Sequence, residues 1–510
     1  MSIPRGLPLQ RYLLLAGVLV CTHVYGRAGG GGHFSGGGHS SGGGHSSGGG
    51  GGFSGGGSHS YGSGGGGSGN GTEFVFFAII FIIVILVLVF KNMSDAKRKT
   101  FIKPGDIQSD LDGMEVTPNQ NAASEAVLTD LMLRDTTFDP ETFYTRVQSA
   151  FVALQNAWSE QNLDPVRPFI SDAIYERFTL QFAEQAFLGY RNDMSDIRVY
   201  ATTLVHTDSD GLYDTVTVRI NAAAVDRELT PDGRLRGGSE LPAPFIEYWT
   251  FLRKHGATSV TTGLMEGNCP NCGAAISINQ NAQCTHCQAE LRGAQYDWVL
   301  TEITQAEDWR RATTPELPLL PILRQRDPNF TVADIEDRVS VMFWRILAAQ
   351  RLGNVNPLRK IATPEFVAGY APQLAPLSTG QRKCFMDAGV GSVTTIALKP
   401  GSADRPDRVL VELHWSGVTY RVSPDKPPSA ISENTPRFSW YLLQRTATGL
   451  TQANSTIASA HCPNCGAPLT DTASDACEYC NTPLADGSHG WVLEAVRAHN
   501  DPELRQIMDI

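Results

Sequence analysis

The sequence predicts an α+β protein. Two tandem domains each place helices on one face of a curved antiparallel sheet, each carries a four-cysteine insert, and one transmembrane helix precedes them. Three observations predict this. The soluble part is written twice, at an offset of about 192 residues that holds within two over about 160 positions. In each copy the apolar period runs first at 3.6 residues and then at two. Two C-x2-C pairs stand at the same place in both copies.

At 510 residues the chain is too long for one core and long enough for two or three domains. With 41% apolar and 18% charged residues it is neither disordered throughout nor polytopic. The net charge of -11 is unevenly spread: Arg5, Arg11 and Arg27 against Glu73 leave +2 up to Phe90, and the rest carries -13. An acidic body excludes nucleic acid as the main partner, because that affinity comes from Lys and Arg against phosphate.

Residues 1–26 have the layout of a secretory signal, with Arg5 and Arg11 ahead of the apolar run Tyr12 to Cys21. Cleavage and retention as a short anchor both fit, since no A-x-A motif follows. Residues 27–72 hold 25 glycines among 46 residues, with His33, His39 and His45 recurring every six, and cannot repay the entropy of ordering. His33, His39, His45 and His59 read as polar spacers rather than metal ligands. Residues 74–90 contain no polar side chain and, at ~1.5 Å per residue, span roughly 26 Å as a helix. A buried core helix would show a polar face; this one has none, so it is expected to cross the bilayer. Lys91, Lys97, Arg98, Lys99 and Lys103 then face only Arg27 across the membrane, which places everything after Lys91 in the cytoplasm. Residues 91–134 read as a juxtamembrane linker.

The first domain is expected over 135–305 and the second over 330–499, with 306–329 a Pro-rich linker. Phe138, Arg146, Val147, Asn162, Pro165 and Arg167 align with Phe330, Arg338, Val339, Asn354, Pro357 and Arg359, and Trp249 is paired with Trp440 at an offset of 191. Phe143, Val147, Phe151, Leu154 and Trp158 keep the helical period, and Asp139-Pro140 supplies its start. A second helix is expected over Ser171 to Tyr190. Strands are expected at Ile197–Val205, Tyr213–Val225, Phe245–Arg253 and Tyr296–Ile303, with turns at Asp210-Gly211 and Asp232-Gly233.

The inserts lie at 267–293 and 460–487. Cys269, Cys272, Cys284 and Cys287, and again Cys462, Cys465, Cys477 and Cys480, share the spacing C-x2-C-x11-C-x2-C. Four thiolates so spaced fit a tetrahedral Zn²⁺, so two structural zinc ions are expected, with iron the remaining alternative. Disulfides conflict with a cytoplasmic location. His286 and His461 are read as bystanders and Cys384 as a buried thiol. Each ribbon sits between two strands, so it is a hairpin tip.

Phe143, Phe151, Gln155, Trp158, Leu163, Phe169 and Tyr175, followed by Trp249-Thr250-Phe251 and Trp298-Val299-Leu300, resemble the family of the mitochondrial inner-membrane translocase subunit 44 and its bacterial relatives. The resemblance covers about 135–305 and more weakly 327–497, where Gln350 stands for Trp158. It implies a nuclear transport factor 2-like cone with an apolar cavity, contact with lipid, and tethering. It also implies a bacterial inner (plasma) membrane location. The ribbons are foreign to the mitochondrial member, and its chaperone-binding region is absent, so motor tethering does not carry over.

The expected function is a membrane-anchored cytoplasmic scaffold that engages an unidentified polypeptide or lipid, with the bilayer as its partner and no catalytic residues. The alternative is an enzyme or small-ligand binder using the cone, with an apolar ligand. His206, Tyr175, Asp214 and His414 are its candidates, but they form no nucleophile–base arrangement. A weaker option is lipid-surface sensing through Lys97-Arg98-Lys99.

Overall fold

The structure, a computed structural model, describes residues 118–276, 283–289, 291, 293–306, 309, 315–378, 380–452 and 457–510. The signal-like segment, the glycine-rich segment, the apolar run 74–90, the basic cluster at 97–99 and Cys21 lie outside the described residues. Among those described, no helix is long and apolar enough to cross a membrane.

The first half runs α1 (Pro118–Arg134), α2 (Pro140–Glu160), α3 (Asp172–Leu188), β1 (Arg191–Ser209), β2 (Tyr213–Leu229), β3 (Leu235–Gly238), β4 (Ala243–Lys254) and β5 (Val299–Gln305). The second runs α4 (Leu320–Arg326), α5 (Val332–Leu352), α6 (Pro364–Tyr370), β6 (Arg382–Lys399), β7 (Asp407–Ser423), β8 (Lys426–Ala430), β9 (Thr435–Arg445), β10 (Val492–Ala498) and α7 (Pro502–Met508). The sheets share one plan: β1-β2-β4-β5 with β3 on β2, and β6-β7-β9-β10 with β8 on β7, each pair antiparallel.

Local chemistry starts the helices. Asp139 accepts from the Thr142 amide at 2.9 Å with Pro140 following, and Ser171, Thr331 and Thr363 cap α3, α5 and α6 in the same way. Curvature has a local cause too. β1 and β6 each carry three register shifts, and the first holds Asp196 or Asp387 at φ 49° or 51°, in the left-handed region. The apolar side of each bent sheet packs on its helices, Phe151 and Trp249 in the first half, Phe343 and Tyr441 in the second.

Three expectations are corrected. The 91–134 linker ends earlier, because α1 occupies 118–134 and buries Leu131 in the first core. The 306–329 linker contains α4, whose Leu323 is buried in the second core. Short apolar helices among prolines and polar residues give little periodic signal, so both read as connectors. Third, Trp249 pairs with Val218 on β2, whereas on β7 the position equivalent to Val218 is Val411, and it pairs with Tyr441. Trp440 therefore faces the other side of its sheet, against Leu504 and Met508 of α7. A one-residue shift in a strand reverses the face, so matching letters misled where pleat parity decides.

One arrangement recurs in both halves. Arg253 at the end of β4 pairs with Asp135 at 2.8 Å and lies 4.3 Å from the Trp298 ring centre. Arg445 at the end of β9 pairs with Asp327 at 2.7 Å and lies 4.6 Å from the Trp491 ring centre. Both arginines are 1% exposed. Although burial pushes the Asp135 carboxyl up, Ser259, Thr137 and Arg253 hold it below the ordinary range. Behind these, Arg134 pairs with Asp214 and Arg326 with Asp407.

The halves belong to one compact unit. At their junction α3 packs on α5. Glu176 pairs with Arg345 at 2.7 Å, the Ala173 amide donates to Asp337 at 3.2 Å, Arg351 donates to the Leu180 carbonyl at 3.1 Å, and the Arg177 guanidinium lies 5.5 Å from the Trp344 ring centre. Burial pushes Glu302 up to about 7, Glu336 to about 8 and Asp337 to about 6, with Glu302 raising Glu336 further and Asp172 raising Asp337. Burial and neighbouring Asp387 raise Glu184 as well.

Removing the carboxylate of a buried pair leaves the arginine charged and without its counter-charge, so Asp135→Ala, which takes away the carboxylate that Arg253 pairs with, is expected to cost about 3–5 kcal/mol in denaturant unfolding, and more than Asp232→Ala on an exposed turn. The junction carboxyls lie above their unfolded values of 3.8 and 4.5, so the stability they contribute is complete below about pH 4 and is lost as pH rises through about 6 to 8. Unfolding midpoints measured from pH 5 to pH 9 should fall, and Glu336→Gln should flatten the decline.

Candidate metal centres

Each insert leaves the end of one strand and returns at the start of its antiparallel neighbour, β4 to β5 and β9 to β10, as a hairpin extension would. Within each, four cysteine sulfurs lie within 4.8 Å of one another. Cys269 and Cys287 are 3.7 Å apart and Cys272 and Cys284 3.9 Å; Cys462 and Cys480, and Cys465 and Cys477, are 3.7 Å apart. A tetrahedron with arms of ~2.3 Å has edges of about 3.8 Å, so both sets fit a four-thiolate ion. The separations are far from a ~2.05 Å disulfide bond, and every described cysteine is free.

The knuckles repeat in detail. The amides of Cys269 and Cys462 donate to the carbonyls of Ala274 and Ala467, and Gly273 and Gly466 take φ of 74° and 73°, which a side chain would strain. Asn271 and Asn464 point amide N–H groups at Cys287 and Cys480 from 3.4 and 3.6 Å. Such donors stabilise thiolate charge. Four protein ligands leave no open position, so either centre is suited to structure rather than catalysis.

The two ribbons are held differently. Arg146 of α2 holds the first, bonding Glu266 at its entry at 2.8 Å, Asp297 at its exit at 2.6 Å and the Val260 carbonyl at 3.0 Å. Asp297 also accepts from the Leu264 and Trp298 amides at 2.9 and 2.8 Å, and a Cβ on Gly263 would meet it at 2.3 Å. The second ribbon is held partly by the first half. Asp172 of α3 accepts the Ala460 amide at 3.0 Å and pairs with His461, and its own amide donates to Ile457. Ile457 is buried in the first half's core. From its own half, Arg345 donates to the Leu469 carbonyl at 3.1 Å and Lys360 to the Thr470 carbonyl at 2.7 Å. His461 is thus a clasp rather than a ligand, and His286 is exposed. A groove of about 450 Å³ opens between α3 and the ribbons, with Ile276 and Leu291 from one, and His461 and Leu469 from the other.

The four catalytic candidates are not brought together. His206 sits on β1 opposite Thr217, Asp214 binds Arg134 and His255, the Tyr175 ring lies under Arg167 at 4.7 Å, and His414 stacks on Phe438 in the other half. Cys384 is buried beside Met386 and Val422, and burial pushes its thiol up to about 11.

The match to known families covers part of the first half: residues 124–263 fit the family model described as the Tim44-like domain. That segment is similar to a Tim44-like domain. It runs from within α1 to Gly263, so the first ribbon and the whole second half lie beyond it. No curated protein matches the sequence. Solved structures include an Ntf2 like protein involved in plasmid conjugation, 8% identical over 68% of this chain and 97% of its own, with a TM-score of 0.14. A lipopolysaccharide binding protein is 10% identical over 54% of this chain and 78% of its own, with a TM-score of 0.10. Scores this low support no conclusion about fold or ligand.

Elemental analysis should find two metal ions per chain. Cys284→Ser with Cys287→Ser should lose one ion and leave the halves docked. Cys477→Ser with Cys480→Ser should also lose one, but expose α3 amides to hydrogen exchange, because the second ribbon clasps the first half.

Proposed function

We propose that this protein is a membrane-associated, protein-binding scaffold without catalytic activity. It is anchored in the bacterial inner membrane by residues 74–90, with the described domains in the cytoplasm. The observation that carries this reading is the docking of the second ribbon on the first half, which joins the two halves into one continuous surface. Zn²⁺ is the ion that best suits four thiolates in a reducing compartment, where it stiffens each hairpin without redox chemistry. The Tim44-like segment supports a role at a membrane, and the acidic body is unsuited to nucleic acid. The groove between the ribbons is a concave seat for a segment of partner polypeptide, with apolar walls for contact and charges of both signs, Asp164 and Arg167, in its lining.

Affinity capture of the full chain from solubilised membranes should enrich a defined protein over a control carrying only residues 1–117. The enrichment should fall when Leu469→Asp places a charge in the groove. Equal recovery from the chain and the control would overturn the reading.

A further inference from the structure

The two halves share a sheet plan but not an interior. In the first, Trp158 packs 5.1 Å from Phe178 and 5.2 Å from Phe182, Trp249 packs 5.2 Å from Phe151, and both indoles are buried. The equivalent positions in the second half are Gln350 and Tyr441. Its helix after the Thr363 cap is also shorter, 7 residues in α6 against 17 in α3. Two indoles are therefore replaced at these positions, although Trp415 stands where the first half has Ala222, and the helix stays shorter even with the 3-10 turn Ala371–Leu374 that follows it. A cavity of about 510 Å³ lies there, in the range of small-molecule sites, between α5, α6 and the sheet.

Its walls are rings: Phe343, Phe366, Phe385 and Trp415 line it. Among its polar groups are three hydroxyls, those of Tyr441, Tyr370 and Ser439. The Tyr441 side chain, 3% exposed, lines the cavity and makes no hydrogen bond with a described residue. Ser439, two residues away and so on the same face of β9, accepts from Trp415 at 3.0 Å. Tyr370 accepts from Gln350 at 2.8 Å. Each hydroxyl thus keeps a proton with no described acceptor, and burial raises both phenols, so they stay protonated donors. Of the charged groups that line the cavity, Glu365 is exposed, Arg497 is 45% exposed, and Glu494 is held by Arg408 at 2.8 Å. The Arg437 guanidinium already lies over the Phe385 and Trp415 rings, at 4.7 and 5.2 Å, which disfavours a second cation on those faces.

We propose that the second domain alone is a ligand-binding domain, and that its cavity takes an uncharged, ring-bearing apolar molecule with one carbonyl-type acceptor for the Tyr441, Tyr370 and Ser439 hydroxyls. The first domain is the filled copy. A buried hydroxyl without an acceptor is costly, and a ligand carbonyl removes that cost. A carboxylate would find in the lining only Arg497, whose charge is largely screened by solvent at 45% exposure. This site is independent of the scaffold role and goes beyond it.

The test uses the full chain in lipid nanodiscs, with empty nanodiscs subtracting partition. The probes are α-tetralone, tetralin without the carbonyl, and naphthoate as the anion. Calorimetry should give saturable tetralone binding at one site per chain, with tetralin and naphthoate each at least about tenfold weaker. Tyr441→Phe should weaken tetralone about tenfold and leave tetralin unchanged. Gln350→Trp, restoring the first domain's indole, should abolish binding of both while thermal melting shows a folded chain. No saturable tetralone binding, two sites per chain, naphthoate binding more tightly than tetralone, or a Tyr441→Phe protein that binds as the parent does would each overturn the proposal.

Discussion

A guanidinium enclosed between a carboxylate and an indole closes each half of this protein. Arg253 with Asp135 and Trp298, and Arg445 with Asp327 and Trp491, join three stretches of chain that no local preference would bring together: the turn before the long helix, the end of one strand and the start of its neighbour. Those two strand ends are where each ribbon leaves and returns. Removing Asp135 would leave Arg253 stranded in a nearly water-free site, whereas Arg445 is held by Asp407 as well as Asp327; in both halves the pairing specifies one geometry whatever its net contribution to stability. Everything the ribbons do depends on that fixed base.

The ribbons then diverge. The first is tied to its own domain through Arg146, which grips both ends of the insert. The second is clasped by Asp172, a residue of the other domain, and sends Ile457 into that domain's core. A short staple that would need its metal to hold its own fold becomes the connector between two larger bodies. The carboxyls raised by burial at the same junction add a dependence on protonation to that union, offset in part by Arg177 at Glu302 and by Arg351 at Glu184.

The two halves share one sheet plan but differ in their interiors. Filling with tryptophan favours packing, while replacement by glutamine and tyrosine opens space and leaves hydroxyl donors facing it. The sheet tolerates either because its register is set elsewhere, by the repeated bulges in β1 and β6 and by the Arg–Asp pairs at the strand ends. The frame can therefore stay constant while its content changes.

The sequence by itself determined the fold class, the repeat, the helix starts at Asp139 and Ser171, and the two four-cysteine sets. Each of these is written in short-range spacing, which reports local periodicity and ligand geometry directly. It did not reveal α1 and α4, whose few apolar residues make sense only against the sheets they cover. It also paired Trp249 with Trp440, because residue identity says nothing about which way a pleat faces. Only the tertiary structure decided that Asp172 reaches His461, that Arg253 meets Asp135, and that one interior is filled and the other hollow. These are contacts between residues more than a hundred positions apart, or differences in volume at equivalent sites, and a linear pattern records neither distance nor space.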